Sequence, residues 1–191
     1  MRKALVFLIF ALASLGANAA QSMCTSNVTK ELEACARANF EYSDRILNSA
    51  YADLATKLSA SDKGVLVRAE REWLTYKNAT CQGAYDATSP GEEAGIDKWT
   101  CLDQITRART DEIQLLNTGI GALGYYKALD IVPKIYEAGA REKFVSKLVD
   151  IYSKSDDKNW RSYVDDNCKL SASRVRDEKA ECIARQVFYR Y

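Results

Sequence analysis

The sequence predicts an all-α protein: a disulfide-stapled antiparallel helical hairpin or bundle, followed by a degenerate second helical repeat. Three observations carry this. Long runs keep apolar residues at three- and four-residue spacing, the stripe of an amphipathic helix. No stretch sustains the period-two alternation of a half-buried strand. Six cysteines, an even number, all lie beyond the N-terminal leader and read as a disulfide framework.

Residues 1–19 read as a signal peptide. Met1-Arg2-Lys3 is basic, Ala4 to Leu15 is apolar apart from Ser14, and Ala17-Asn18-Ala19 offers small residues for cleavage after Ala19. The run is too short for a comfortable membrane span, so a periplasmic or secreted protein is expected, with no membrane attachment after cleavage. Of 27 basic residues two lie in the leader, leaving 25 against 26 acidic ones. Such near-neutrality argues against nucleic acid as a partner. The chain has no histidine, which removes Ser/His and Cys/His nucleophiles and histidine-ligated metals together. No metal or cofactor is expected.

The mature chain divides at Gly119-Ile120-Gly121, giving residues 20–118 and an extension over 119–191. Residues 29–58 form one long helix, with Leu47, Tyr51, Leu54 and Leu58 on its apolar stripe and Thr29 as its expected cap. Ser59-Ala60-Ser61-Asp62 turns the chain, with Ser61 or Asp62 capping the next helix. Leu66, Ala69, Trp73, Tyr76 and Thr80 continue it to Cys81. The short connection makes the two helices antiparallel neighbours, placing Cys81 near Cys35 and Phe40, and Trp73 and Tyr76 against Ile46–Tyr51.

Gly83, Pro90, Gly91 and Gly95 interrupt the pattern between Gln82 and Lys98, which is read as a loop. It is acidic, with Asp86, Glu92, Glu93 and Asp97 against Lys98. A helix resumes from Trp99 to Leu116, with Gly119 at its C-terminal cap. The extension reads as helices over 125–138, with a kink or restart at Pro133, then 141–154, 156–170 and 174–191.

An internal echo links the two parts. Trp73-x-x-Tyr76-x-x-x-x-Cys81 matches Trp160-x-x-Tyr163-x-x-x-x-Cys168, and Cys101-Leu102-x6-Arg109 matches Cys182-Ile183-x6-Arg190. The second copy holds only Cys168 and Cys182, which favours their pairing, and by analogy Cys81 with Cys101 and Cys24 with Cys35. The competing arrangement joins Cys35 to Cys81 and Cys24 to Cys101. Trp73, Tyr76, Trp160 and Tyr163 are expected to be structural. Arg109 and Arg190 are read the same way, as arginines paired with a carboxylate at the core edge such as Asp44 or Glu70, the alternative being an arginine that binds a ligand.

Cys24, Glu31-x-x-x-Cys35, Leu47-Asn48-x-x-Tyr51-x-x-Leu54, Trp73-x-x-Tyr76-x-x-x-x-Cys81 and Cys101-x-x-x-x-Thr106-x-x-Arg109 together resemble the LprI-type lysozyme-inhibitor domain over residues 24–116. The resemblance implies a small helical, disulfide-bonded envelope domain that inhibits lysozyme by binding it, without catalysis. Lysozymes of the animal type are basic, so the acidic segment tethered between Cys81 and Cys101 is the candidate contact: Asp86, Glu92, Glu93 and Asp97 for charge, Tyr85 and Ile96 for apolar contact. The alternative is a binding or immunity module for another cell-wall hydrolase or envelope partner. An enzyme built on Glu92/Glu93 or Asp156/Asp157 ranks last, because no base or nucleophile stands beside either pair.

Overall fold

A computed structural model describes residues 21–190. The expected leader, residues 1–19, lies outside them. The described residues form seven α-helices and no strand: α1 (Thr29–Lys57), α2 (Ala60–Thr88), α3 (Ala94–Thr118), α4 (Leu123–Tyr136), α5 (Arg141–Ser153), α6 (Lys158–Val175) and α7 (Lys179–Phe188).

The expected helices are present, with corrected ends. Val28, not Thr29, precedes α1 and makes no side-chain cap; Glu31 supplies negative charge in the first turn instead. The cap of α2 is Ser59, whose hydroxyl accepts from the Asp62 amide at 3.1 Å, so Ser61 and Asp62 are already helical. Gly119 closes α3 with φ of 76°, a left-handed position that glycine occupies without strain. Pro133 does not break α4; it falls within the last turn, where its carbonyl accepts from the amides of Glu137 and Gly139.

The larger correction concerns residues 82–98. They are not a long loop. α2 continues to Thr88 and α3 begins at Ala94, leaving only Ser89 to Glu93 as a turn. Gly83 does not end the helix, because it sits on an exposed face where a missing side chain costs about 1 kcal/mol and nothing more. Gly95 has a different reason to be glycine. The carboxylate of Glu33 on α1 occupies the space that a Cβ would need.

Helix packing also departs from a simple hairpin. α1 lies along α3, while α2 packs between α3 and α6; α5 and α6 both pack on α7. Phe40 meets Trp99 of α3, with ring centres 5.7 Å apart, and also lies under the Lys77 ammonium of α2 at 5.3 Å. Trp73 and Tyr76 share a wall with Trp160 and Tyr163 of α6, and they join the same core as Leu47, Ala50 and Tyr51 of the expected Ile46–Tyr51 stretch, of whose apolar residues only Ile46 is exposed. The apolar stripe of α2 is wide enough to be covered from two sides, and α3 and α6 do so.

The main core draws on both parts of the chain: Leu47 and Leu54 from α1, Leu66 and Trp73 from α2, Ile113 and Leu116 from α3, then Trp160, Leu170 and Val187. Each such side chain contributes about 1.5–3 kcal/mol when fully buried. A smaller cluster of Tyr125, Leu129, Val145 and Ala184 holds α4 and α5 against α7. Three disulfides join Cys24 to Cys35, Cys81 to Cys101 and Cys168 to Cys182, each with its Cα atoms 5.5–5.7 Å apart. The sequential pairing is therefore the one present.

Candidate protein-binding site

The Cys81–Cys101 bridge ties the end of α2 to the start of α3 and holds the expected contact residues on a short, rigid tip. Tyr85 and Asp86 lie in the last turns of α2. The Tyr85 ring is half-buried beneath the Lys98 ammonium, 5.6 Å from its centre. Lys98 donates to Gln82 Oε1 and Gln82 Nε2 donates to Asp86 Oδ1, both at 2.9 Å, so Asp86 belongs to a bonded chain across the two helices. Glu92 and Glu93 stand exposed on the turn, with no ion pair among the described residues. Asp97 lies in the first turn of α3, where the positive end of the helix dipole favours a carboxylate.

The fold adds a carboxylate that sequence reasoning missed. Glu33 of α1 meets the start of α3 at Gly95, extending the acidic tip formed by Glu92, Glu93 and Asp97. Its separation in sequence left no local signal. Ile96 faces a neighbouring cleft of about 340 Å³, shared with Leu32, Ala36 and Asn39 of α1 and with Gln21 to Cys24 only through Gln21, Ser22 and Cys24. Asp103 forms its polar floor, accepting from Ser43 Oγ at 2.5 Å and Gln21 Nε2 at 2.9 Å.

Trp73, Tyr76, Arg109, Trp160, Tyr163 and Arg190 come together at one place, around a cavity of about 20 Å³. That is room for one water molecule and not for a ligand. Arg109 pairs with Glu70 through Nε and Nη2, at 3.0 and 2.9 Å, and not with Asp44. Its Nη1 donates to Asn167 Oδ1 at 2.7 Å and to the Tyr163 hydroxyl at 3.3 Å. Burial works against its charge, but Tyr163, Glu70 and Glu112 outweigh it and hold the guanidinium more firmly protonated than usual. Arg190 pairs with Asp157 at 3.3 Å and stacks over Trp160 at 4.0 Å.

A buried ionic network continues from Arg109 and was not legible in the sequence. Asn167 Nδ2 donates to Glu112 Oε1 at 2.7 Å; Arg185 donates to both Glu112 oxygens, from Nε at 2.7 Å and Nη2 at 3.0 Å. Arg185 also meets Asp177 at 2.6 Å. Burial raises the Glu112 pKa, yet Arg185 and the hydrogen bonds from Arg185 and Asn167 prevail and lower it. Lys77 is a third buried cation, 4.6 Å from the Trp73 ring centre and 4.0 Å from Asp44. There burial dominates over Asp44 and Glu70, and the lysine pKa falls.

Among the described residues no group of three or more histidine, cysteine, aspartate or glutamate side chains is placed to hold a metal ion. No helix among them is long and apolar enough to cross a membrane. What the geometry does offer is an acidic tip beside a cleft of mixed polar and apolar lining, on a helical domain braced by disulfides. This defines an all-helical, disulfide-braced domain. Residues 19–113 match the family model described as Lysozyme inhibitor LprI, and this part of the chain belongs to that family. The match covers α1, α2 and most of α3 and ends before α4. No curated protein and no solved structure matches the chain.

Proposed function

We propose that this protein acts outside the cytoplasm as a lysozyme inhibitor that binds the enzyme and performs no chemistry of its own. The observation that carries the reading is the family match over residues 19–113. The disulfides fit an oxidising compartment. The contact is the acidic tip: Glu92 and Glu93 on the turn, Asp97 and Glu33 beside them, with Tyr85, Asp86 and Ile96 at its margins. Carboxylates of one sign steer a basic enzyme to this end of the molecule. Because the bridge and the two helices hold the tip before binding, little ordering cost falls on the complex.

The test is lysozyme clearing of cell-wall suspensions with purified, oxidised protein added, together with capture on immobilised lysozyme. Inhibition and capture are expected, both weakening as salt rises. Absence of either at micromolar protein rejects the inhibitor reading. Glu92→Lys with Glu93→Lys should reduce potency about tenfold or more while leaving the melting curve in place, since neither carboxylate has a partner to lose. Unchanged potency moves the contact elsewhere on the domain. Capture by a different cell-wall hydrolase, with lysozyme unbound, would favour an immunity-type module on the same tip.

A further inference from the structure

We infer that the α2–α3 face bearing Trp73, Tyr76 and Arg109 is a homotypic pairing face, whose partner is a second unit of the same design, supplied here within the chain by α6 and α7. This pairing is independent of the lysozyme reading, since it uses none of the acidic residues of the tip.

When two like surfaces pair about a two-fold axis, residue i of the first meets residue j of the second, and j of the first meets i of the second. The repeat equates Tyr76 with Tyr163 and Arg109 with Arg190. Arg109 lies over the Tyr163 ring at 5.0 Å, and Arg190 lies over the Tyr76 ring at 5.9 Å. Each arginine thus crosses to the tyrosine of the other unit. Each also keeps an acid of its own unit, and those acids are equivalent too: Glu70 and Asp157 both stand three residues before the tryptophan of their unit. α2, the helix that carries the first pair of aromatics, packs directly on its counterpart α6.

The small cavity sits where such an axis would pass. Besides the six residues already named, it is lined by Ile105, Ala108, Gln186 and Tyr189. Counted from Cys101 and from Cys182, Ile105 matches Gln186 and Ala108 matches Tyr189. Every lining residue therefore has its repeat mate in the same wall. A face that merely happened to be covered by the rest of the chain would not sort its lining into pairs. The sequence differences show how the second unit has specialised: Gln186 replaces an apolar residue and receives the Tyr163 hydroxyl at 2.6 Å. α6 and α7 lie beyond the residues matched by the family model, so the repeat is visible in contacts where the family pattern has faded.

All three disulfides lie within one unit or the other, so no covalent link except the peptide chain joins the halves. A protease site inserted between Gly119 and Ile120, both exposed, allows the folded full-length protein to be cut at that link. The cut protein should run as one 1:1 species at micromolar concentration, with its helical circular dichroism unchanged. Separation of the two fragments overturns the inference without needing any variant. Reciprocity is then read from two double-mutant cycles by urea unfolding of the uncut chain: Arg109→Ala with Tyr163→Leu, and Arg190→Ala with Tyr76→Leu. Both pairs should show coupling, about twofold to thirtyfold in the unfolding equilibrium. Coupling in one pair alone makes the contact a one-sided accident and rejects the homotypic face. Should Arg109→Ala fail to fold, Arg109→Lys closes the same cycle, because lysine keeps the charge for Glu70 but loses planar stacking on Tyr163. Lysozyme inhibition is not a readout of either experiment, so its failure would leave the pairing result standing.

Discussion

Replacing Glu112 by methionine is the sharpest perturbation of the buried network. The Glu112 side chain is 2 % exposed and Arg185 is fully buried, so neither can turn to water. Methionine fills a similar volume but accepts nothing. Arg185 Nε and Asn167 Nδ2 lose their acceptor, and Arg185 is left with Asp177 as its carboxylate. Removing one member of a buried pair costs about 3–5 kcal/mol. For a chain of this length each kcal/mol moves the midpoint by about 2–4 °C, so Glu112→Met should melt roughly 6–20 °C lower at pH 7 by far-ultraviolet circular dichroism. Adding Arg185→Met takes away the cationic partner of the buried Asp177 carboxylate, so the double variant should be no more stable than Glu112→Met alone. The pH dependence follows from the lowered carboxyl pKa. Its contribution is fully present above the unfolded glutamate value, about 4.3, and is lost as pH falls through the folded value. The gap between wild type and Glu112→Met should therefore be constant near neutrality and close in acid. A single-variant shift below about 2 °C, or a double variant clearly more stable than the single, would refute the account of the network.

Lys77→Met should leave stability unchanged or raise it by about 1 kcal/mol at pH 7, since burying the ammonium costs what its partners barely return. Because burial depresses the folded lysine pKa, wild type gains on the variant as pH rises toward the free-lysine value; urea unfolding at pH 7 and 9.5 measures the closing gap. Cys81→Ser with Cys101→Ser should cost roughly 3 kcal/mol in the chain-entropy model and weaken lysozyme inhibition more than the melting shift alone predicts. Ser59→Ala removes the cap of α2 and should cost about 1 kcal/mol in the same unfolding measurement.

Local pattern carried the helices well and their partners poorly. α1 was legible because its stripe of Leu47, Tyr51, Leu54 and Leu58 is uninterrupted by glycine or proline. The segment around Gly83 and Gly95 misled because glycine marks two different situations. At Gly83 it is a tolerated weakness on an exposed helix face; at Gly95 it makes way for Glu33 from α1, far away in sequence. Trp73, Tyr76 and their echoes announced themselves through rare residue types at matched spacing. Arg185, Glu112 and Asn167 had no such signature, since a buried charge is recognisable only beside the group that neutralises it. The acidic tip was half legible: Glu92, Glu93 and Asp97 lie close together in sequence, whereas Glu33 enters only through the packing of α1 on α3.

The disulfides have a consequence for the order in which the protein is made. Read from the N-terminus, each cysteine pairs with the next one, across sequence separations of 11, 20 and 14. A chain emerging end-first into an oxidising space could join each thiol to the following one as it arrives, without holding any in reserve for a distant mate. The first unit would then be cross-linked before the second has appeared, ready to serve as the template on which α6 and α7 settle.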